Sequence, residues 1–267
     1  MSVVELGDAV SGVRELTLNR PTALNAINAE LVTDLGTALQ EIERDYRTHV
    51  VVLTGAGRAF CAGLDLNGYG DDDLVEAQGS LRRRLGRQRE IAALAQRLHH
   101  LRVPVIAAVN GAAAGGGLSL VLASDVRIAS SSAIFAASFI RAGYSGCDIG
   151  TSWLLPRIVG TGRAHELMLT GRRLDAAEAL RIGLVTDVVP DESLLEVARA
   201  KAAEIQRNPP LSVELTKQGM WLALESPGFD ASVEFENRQQ ILTCFTEDQP
   251  EATRAFLEKR APQYKYR

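Results

Sequence analysis

The chain has little cysteine: Cys61, Cys147 and Cys244 are three in number, far apart, and form no CxxC pair. That excludes a disulfide framework and a zinc ribbon. The four histidines, His49, His99, His100 and His165, show no HxxxH or HExxH spacing, so a metal site is not expected. Positive charge is not in excess either. Charged residues make up 23% and hydrophobic ones 46% of 267, with a formal net charge of −4. Nothing in bulk draws such a chain to nucleic acid, and an anionic ligand has to be held by local basic residues. No apolar run reaches the roughly eighteen residues that span a bilayer, because Asp125 and Arg127 interrupt the best candidate. The opening MSVVELGDAV carries early acids and no basic stretch ahead of a long apolar core, so no signal peptide is predicted. The expectation is a cytoplasmic protein without a membrane partner. Phosphate-binding and dinucleotide-binding glycine loops are missing as well. The turn at Gly55–Gly57 has GxG but neither GKS/GKT nor GxGxxG.

What is present is a strand feeding a glycine-opened helix. Val105 to Val109 is β-branched and alanine-rich without polar alternation, which suits a strand buried on both faces. Asn110-Gly111 marks a turn, and Gly115, Gly116 and Gly117 open an apolar helix. Bare backbone at a helix start leaves unpaired N–H groups at the positive end of the dipole. Such a place favours negative charge, including charge that develops only during a reaction. The same glycines could instead serve tight helix–strand packing. A second strand-to-glycine unit, His49 to Thr54 followed by the segment GAGRAFCAGLDL at 55–66, allows two loops to converge at strand ends.

Along the rest of the chain, Val13 to Asn19 alternates as a strand, and Leu24 to about Tyr46 keeps helical spacing. The acidic stretch 68–79 reads as a loop. Arg82, Arg83, Arg84 and Arg87 read either as a solvated helix face or as a flap over phosphates. An amphipathic helix is predicted from Glu90 to Leu101, short strands at 125–129 and 133–135, and a loop from Gly143 to Gly150 carrying Asp148. A helix from Thr151 should break near Pro156, short helices follow at 162–169 and 176–181, and a strand at 184–189. From Glu192 onward the pattern is helical, over about 194–206, 211–224, 229–245 and 250–259. This change near Pro190 divides the chain into a core, 1–190, that carries the site and a helical region, 191–267. Asp65 and Asp125 read as turn or capping acids.

The segment AFCAGLDL at 59–66, followed by NGAAAGGGLSLVLASDVRIAS at 110–130, resembles the crotonase, or enoyl-CoA hydratase/isomerase, superfamily. GRAHELMLTGRRLDAAEALRIGLVTDVV at 162–189 and AFLEKRAPQY at 255–264 fit the same pattern, so the resemblance runs from about Leu16 to the C-terminus. It implies an α/β spiral of repeated β-β-α units and a C-terminal helical region that assembles homotrimers or dimers of trimers. It implies an acyl-CoA thioester as substrate, with coenzyme A part of that substrate and no separate cofactor. Matched by position, the family's oxyanion hole falls on the backbone N–H groups of Leu64 and Gly116. The acyl pocket is expected to include Ala62, Ser119, Phe139 and Tyr144, and Phe256 and Lys259, with Arg260, to lie near the adenosine and phosphates. A solvent-facing basic helix end is the other reading of that last group.

Family hydratases use two glutamates around one water. Here Ser119 and Phe139 stand at those two positions, and neither serves as a base. Asp148, in the segment GCDIGTSWLLPR at 146–157, resembles the proton-transferring aspartate of dienoyl-CoA isomerases; an N-cap for the helix starting at Thr151 is the alternative. The family label is enoyl-CoA hydratase, acting on 2-enoyl-CoA thioesters in fatty-acid or related catabolism. The alternatives are an isomerase with Asp148 as single base, and a non-catalytic acyl-CoA-binding protein.

Overall fold

The computed structural model describes residues 2–267. Strands β1 (Val4–Leu6) and β2 (Val13–Leu18) lead through a 3-10 turn to helix α1 (Ala29–Arg44), then to β3 (Val50–Gly55) and β4 (Ala59–Cys61). Helices α2 (Asp72–Gln78) and α3 (Ser80–His100) follow, then β5 (Val105–Val109), β6 (Ala112–Ala114) and α4 (Gly116–Leu122). Next come β7 (Val126–Ser130), β8 (Ile134–Ala136), α5 (Thr151–Val159), α6 (Thr161–Thr170), β9 (Arg173–Asp175), α7 (Ala176–Arg181) and β10 (Asp187–Val189). The chain closes with α8 (Leu194–Ile205), α9 (Pro210–Glu225), α10 (Phe229–Thr243) and α11 (Asp248–Glu258).

The strands fall into two sheets, β1-β2-β3-β5-β7-β10 and β4-β6-β8-β9. Successive pairs β3/β4, β5/β6 and β7/β8 place the first strand in the large sheet and the second in the small one, and a helix then returns the chain. This is the repeated β-β-α spiral that the resemblance implies. Pairing within the large sheet is parallel except for β1 against β2. Parallel strands need cover on both faces, and the period of two supplies it. Val51, Leu53, Val105 and Ala107 point into the main core with α1, α3 and α4. Val50, Val52, Ile106 and Ala108 point the other way, onto Leu194, Ala198 and Ala202 of α8.

Several elements differ from the sequence reading, each for a local reason. Helix α1 starts at Ala29 rather than Leu24, because Leu24 and Asn25 adopt positive φ and Asn28 caps the helix by accepting from the Leu31 N–H at 2.9 Å. Helix α5 runs through Pro156 to Val159 and stops at Gly160, so the predicted break is absent. Proline here removes one donor in a nine-residue helix whose Leu154, Leu155 and Val159 are buried, and packing outweighs the loss. The acidic stretch 68–79 contains α2, and α3 begins ten residues before Glu90.

Those last two differences share one cause. Arg83 is neither solvated nor a phosphate contact: it is buried, and its guanidinium donates to Asp71 and, at 2.7 and 2.9 Å, to Glu90. Arg87 also pairs with Asp71 and lies 4.3 Å over the Tyr69 ring. The two arginines balance the two acids and lock α2 against α3.

Asp125 is likewise not a cap. It forms a buried ion pair with Lys217 of α9 at 2.8 Å, accepts from Trp221 Nε1 at 2.8 Å and from the Val105 N–H at 2.7 Å. Asp65 pairs with Arg20 at 3.0 Å. No helix among the described residues is long and apolar enough to cross a membrane.

Candidate active site

The two glycine-rich units converge through the side-chain amides of Asn25, buried, and Asn110, half-buried. Asn25 Nδ2 donates to the Ala56 and Ala59 carbonyls at 2.9 and 2.7 Å. Asn110 accepts from the Gly55 N–H at 3.1 Å and donates to the Gly57 carbonyl at 2.9 Å. The turn between β3 and β4 is therefore held beside the turn after β5. Gly117 sits so close to β4 that a Cβ there would lie 2.0 Å from the Cys61 carbonyl oxygen. Gly63 has φ +96°, and a Cβ on it would lie 2.8 Å from the Ala114 carbonyl oxygen. At these two positions close approach and backbone sign require glycine.

The approach leaves two donors unpaired. Ile27 and Leu64 form an isolated parallel bridge, in which the Ile27 N–H donates to Gly63 at 2.7 Å and the Asp65 N–H to Ile27 at 3.0 Å. This alternation turns the Leu64 N–H away. Gly116 opens α4, where the first N–H groups have no helical acceptor. Neither N–H has an acceptor among the described residues. Both residues line one cavity of about 110 Å³, together with Ala62, Phe139, Tyr144 and Asp148.

Asp148 sits in the loop before α5 and is half-buried. It is not the cap: Gly150, with φ 78°, occupies that place without any side-chain hydrogen bond, while the Asp148 carbonyl accepts from the Thr151 N–H at 2.8 Å. The carboxylate Oδ1 accepts from the Ile149 N–H at 2.8 Å and from Gln88 Nε2 of α3. Ile149 holds φ 46°, a strained conformation for a β-branched residue, and in it the N–H turns back onto the carboxylate. Burial pushes the Asp148 carboxyl above the ordinary carboxylate value, while the Ile149 N–H and Gln88 bonds oppose that rise. A half-buried carboxylate with a raised pKa beside two unpaired N–H donors can take a proton from carbon while the donors hold the resulting oxyanion.

Six of the expected residues thus share one cavity: Ala62, Leu64, Gly116, Phe139, Tyr144 and Asp148. Ser119 does not line it. Its side chain is fully buried in α4, with Oγ 2.8 Å from Thr151 Oγ1 and 3.4 Å from the Gly115 carbonyl. Phe256 and Lys259 do not line it either. Phe256 is exposed at the end of α11, and Lys259 terminates that helix at φ 53°. Arg260 is tied to Glu251 at 2.6 and 3.0 Å and to Glu258 at 2.6 Å. Cys61, ahead of the Gly63–Leu64 turn, is buried and its thiol is pushed up to about 12, which keeps it protonated.

The sequence reading missed Gln88 and a second cavity. That cavity, about 470 Å³, is lined by Gln88 and Asp148 together with Ala95, His99, Cys147 and Trp153, and by Glu225 from the end of α9. His99 lies between Trp153 and Trp221, with ring centroids at 5.8 and 4.1 Å, and burial lowers its pKa below the ordinary imidazole value. The available signal was periodicity: 88, 92, 95 and 99 fall on one helical face once α3 is extended back through the arginines.

The family model for enoyl-CoA hydratase/isomerase matches residues 8–267. The chain belongs to this family. Among its relatives within the crotonase superfamily, "Probable enoyl-CoA hydratase echA12" of Mycobacterium bovis is 41% identical over 255 residues, 94% of this chain and 88% of that one. The 1,2-epoxyphenylacetyl-CoA isomerase of Escherichia coli is 40% identical over 261 residues, 97% of each chain. The crystal structure of an enoyl-CoA hydratase from Bacillus anthracis superposes with a TM-score of 0.90 at 35% identity, covering 99% of this chain and all of that one. This crotonase-fold chain is accordingly an enzyme of the hydratase/isomerase family, and its relatives carry names for both reactions.

Proposed function

We propose that the protein moves a double bond within an enoyl-CoA thioester, with Asp148 as the single acid–base group and the Leu64 and Gly116 N–H groups as the oxyanion hole. The observation that carries this reading is the cavity itself: among the described residues Asp148 is its only lining carboxylate, beside two unpaired donors. Asp148 removes a proton from C2 of a 3-enoyl thioester, and the negative charge moves onto the thioester oxygen, where the two N–H groups hold it. The same carboxylic acid then returns the proton to C4, leaving the double bond between C2 and C3. Hydration instead needs a group to activate water and a group to handle the C2 proton. The family's two glutamate positions hold Ser119, buried against Thr151, and Phe139, an apolar wall.

The enzyme so proposed acts on acyl-CoA in the cytoplasm, and Ala62, Phe139 and Tyr144 contact the acyl group. The exposed Phe229, Phe245 and Phe256 of the helical region 191–267 support a homotrimer or dimer of trimers, with Phe256 and Lys259 placed toward coenzyme A only once subunits assemble. The experiment is turnover of 3-enoyl-CoA and 2-enoyl-CoA esters side by side, with CoA-ester binding by calorimetry. Conversion of the 3-enoyl ester with slow or absent hydration is the expected result. Rapid hydration of the 2-enoyl ester without isomerisation overturns the reading, and binding without either reaction makes the protein a non-catalytic acyl-CoA carrier.

A further inference from the structure

The two oxygens of Asp148 are treated differently by the fold. Oδ1 accepts both the Gln88 carboxamide and the Ile149 N–H, whereas Oδ2 accepts no hydrogen bond among the described residues. Gln88 stands on α3 and Asp148 on the loop before α5, so an element separate from the loop fixes the carboxylate. Both residues line the small cavity with the unpaired donors and also the larger cavity beside it. With Ile149, the pair is the boundary between the two. A carboxamide neither takes nor gives a proton at neutral pH, and here it can only donate and orient.

We propose that Gln88 is a positioning residue: its carboxamide holds Oδ1 of Asp148, so that Oδ2 is the oxygen that exchanges a proton with the acyl carbons. This inference rests on Asp148 being the base. It has a consequence for longer acyl groups, which must run past the Gln88–Asp148 pair to enter the larger cavity.

The other titratable groups lining the two cavities with Asp148 are His99 and His100 from α3, Glu225 from α9, and Tyr144 and Cys147 from the same loop. None of them changes when Gln88 does, and burial of Asp148 remains. Loss of the Gln88 donor removes one of the two hydrogen bonds that favour the carboxylate, so the pKa of the base rises.

The test is Gln88→Leu, similar in size and without a donor, at an exposed helix position where folding is not at stake. Steady-state rates on a short 3-enoyl-CoA ester are measured across pH, beside the wild type and Asp148→Asn. The expected outcome is a kcat lower by about 10-fold or more, the scale of one charge-assisted hydrogen bond, with KM within about 3-fold. The acid limb of kcat/KM moves up by about half a pH unit or more. A kcat within about 2-fold of wild type with an unmoved acid limb overturns the role of Gln88. Should Asp148→Asn keep its activity, the base assignment fails and the Gln88 proposal with it. An inactive Asp148→Asn beside a wild-type profile for Gln88→Leu sinks the Gln88 proposal alone.

Discussion

Replacing Lys217 by methionine removes one charge from a pair that has no water to turn to. The Lys217 and Asp125 side chains are each only 4% exposed, with Nζ 2.8 Å from the carboxylate and 3.2 and 3.0 Å from the Leu98 and Val103 carbonyls. Methionine fills similar space, so packing is nearly conserved and the effect is electrostatic. Asp125 keeps the Trp221 and Val105 donors but loses its counter-charge, and two carbonyls lose a donor. Breaking a buried pair in this way costs about 3–5 kcal/mol. For a chain of this size that corresponds to a fall in Tm of about 6–20 °C, at roughly 2–4 °C per kcal/mol. The assay is urea unfolding followed by circular dichroism, with Tm alongside. The double variant Lys217→Met/Asp125→Asn, which removes both charges, should recover at least half of the loss. A cost below about 1 kcal/mol for Lys217→Met would refute the reasoning, since α9 would then be held by apolar contacts alone.

Three further outcomes follow from the same structure. Gly117→Ala puts a methyl group 2.0 Å from the Cys61 carbonyl and should give insoluble protein or a loss of several kcal/mol, roughly 3 or more. Gly86→Ala, whose Cβ meets only Arg83 Nη1 at 3.4 Å inside α3, should stabilise by about 0.5–1 kcal/mol in the same unfolding assay. For Asp148, burial raises the folded carboxyl above its unfolded value, so its contribution to stability is complete below the unfolded value and is lost as pH rises through the folded one. Asp148→Asn should therefore melt higher than wild type at pH 7, with the advantage shrinking as pH falls through the raised folded value and gone below the ordinary carboxylate value. A lower Tm at pH 7 would contradict this.

The parts of the fold that were legible in the sequence are those where one local rule acts alone. Val105–Val109 reads as a two-sided buried strand because both faces are covered, and Gly115–Gly117 reads as a helix start because only bare backbone can approach Cys61. The family motifs then placed Leu64, Gly116 and Asp148, which the fold brings to one cavity. What the sequence hid depends on partners distant along the chain. Arg83 looks solvated until Asp71 and Glu90 enclose it, and Asp125 looks like a cap until Lys217 arrives from α9. Gln88 lay inside the arginine-rich stretch, so the start of α3, and the face that carries Gln88 to Asp148, went unread. Short strands such as β6, Ala112–Ala114, carry too few residues to show a period and are defined by their neighbours.

The proposed reaction has one carboxylate, Asp148, carry the proton. It is tested most directly by following a 3-enoyl-CoA ester by NMR with wild type and Asp148→Asn, while CoA-ester binding is measured on the same preparations. Asp148→Asn should lose about 10²–10⁴-fold in turnover and bind the ester as wild type does. Turnover within a few-fold of wild type in the variant would contradict it and move the search for the base to Glu225 in the adjoining cavity.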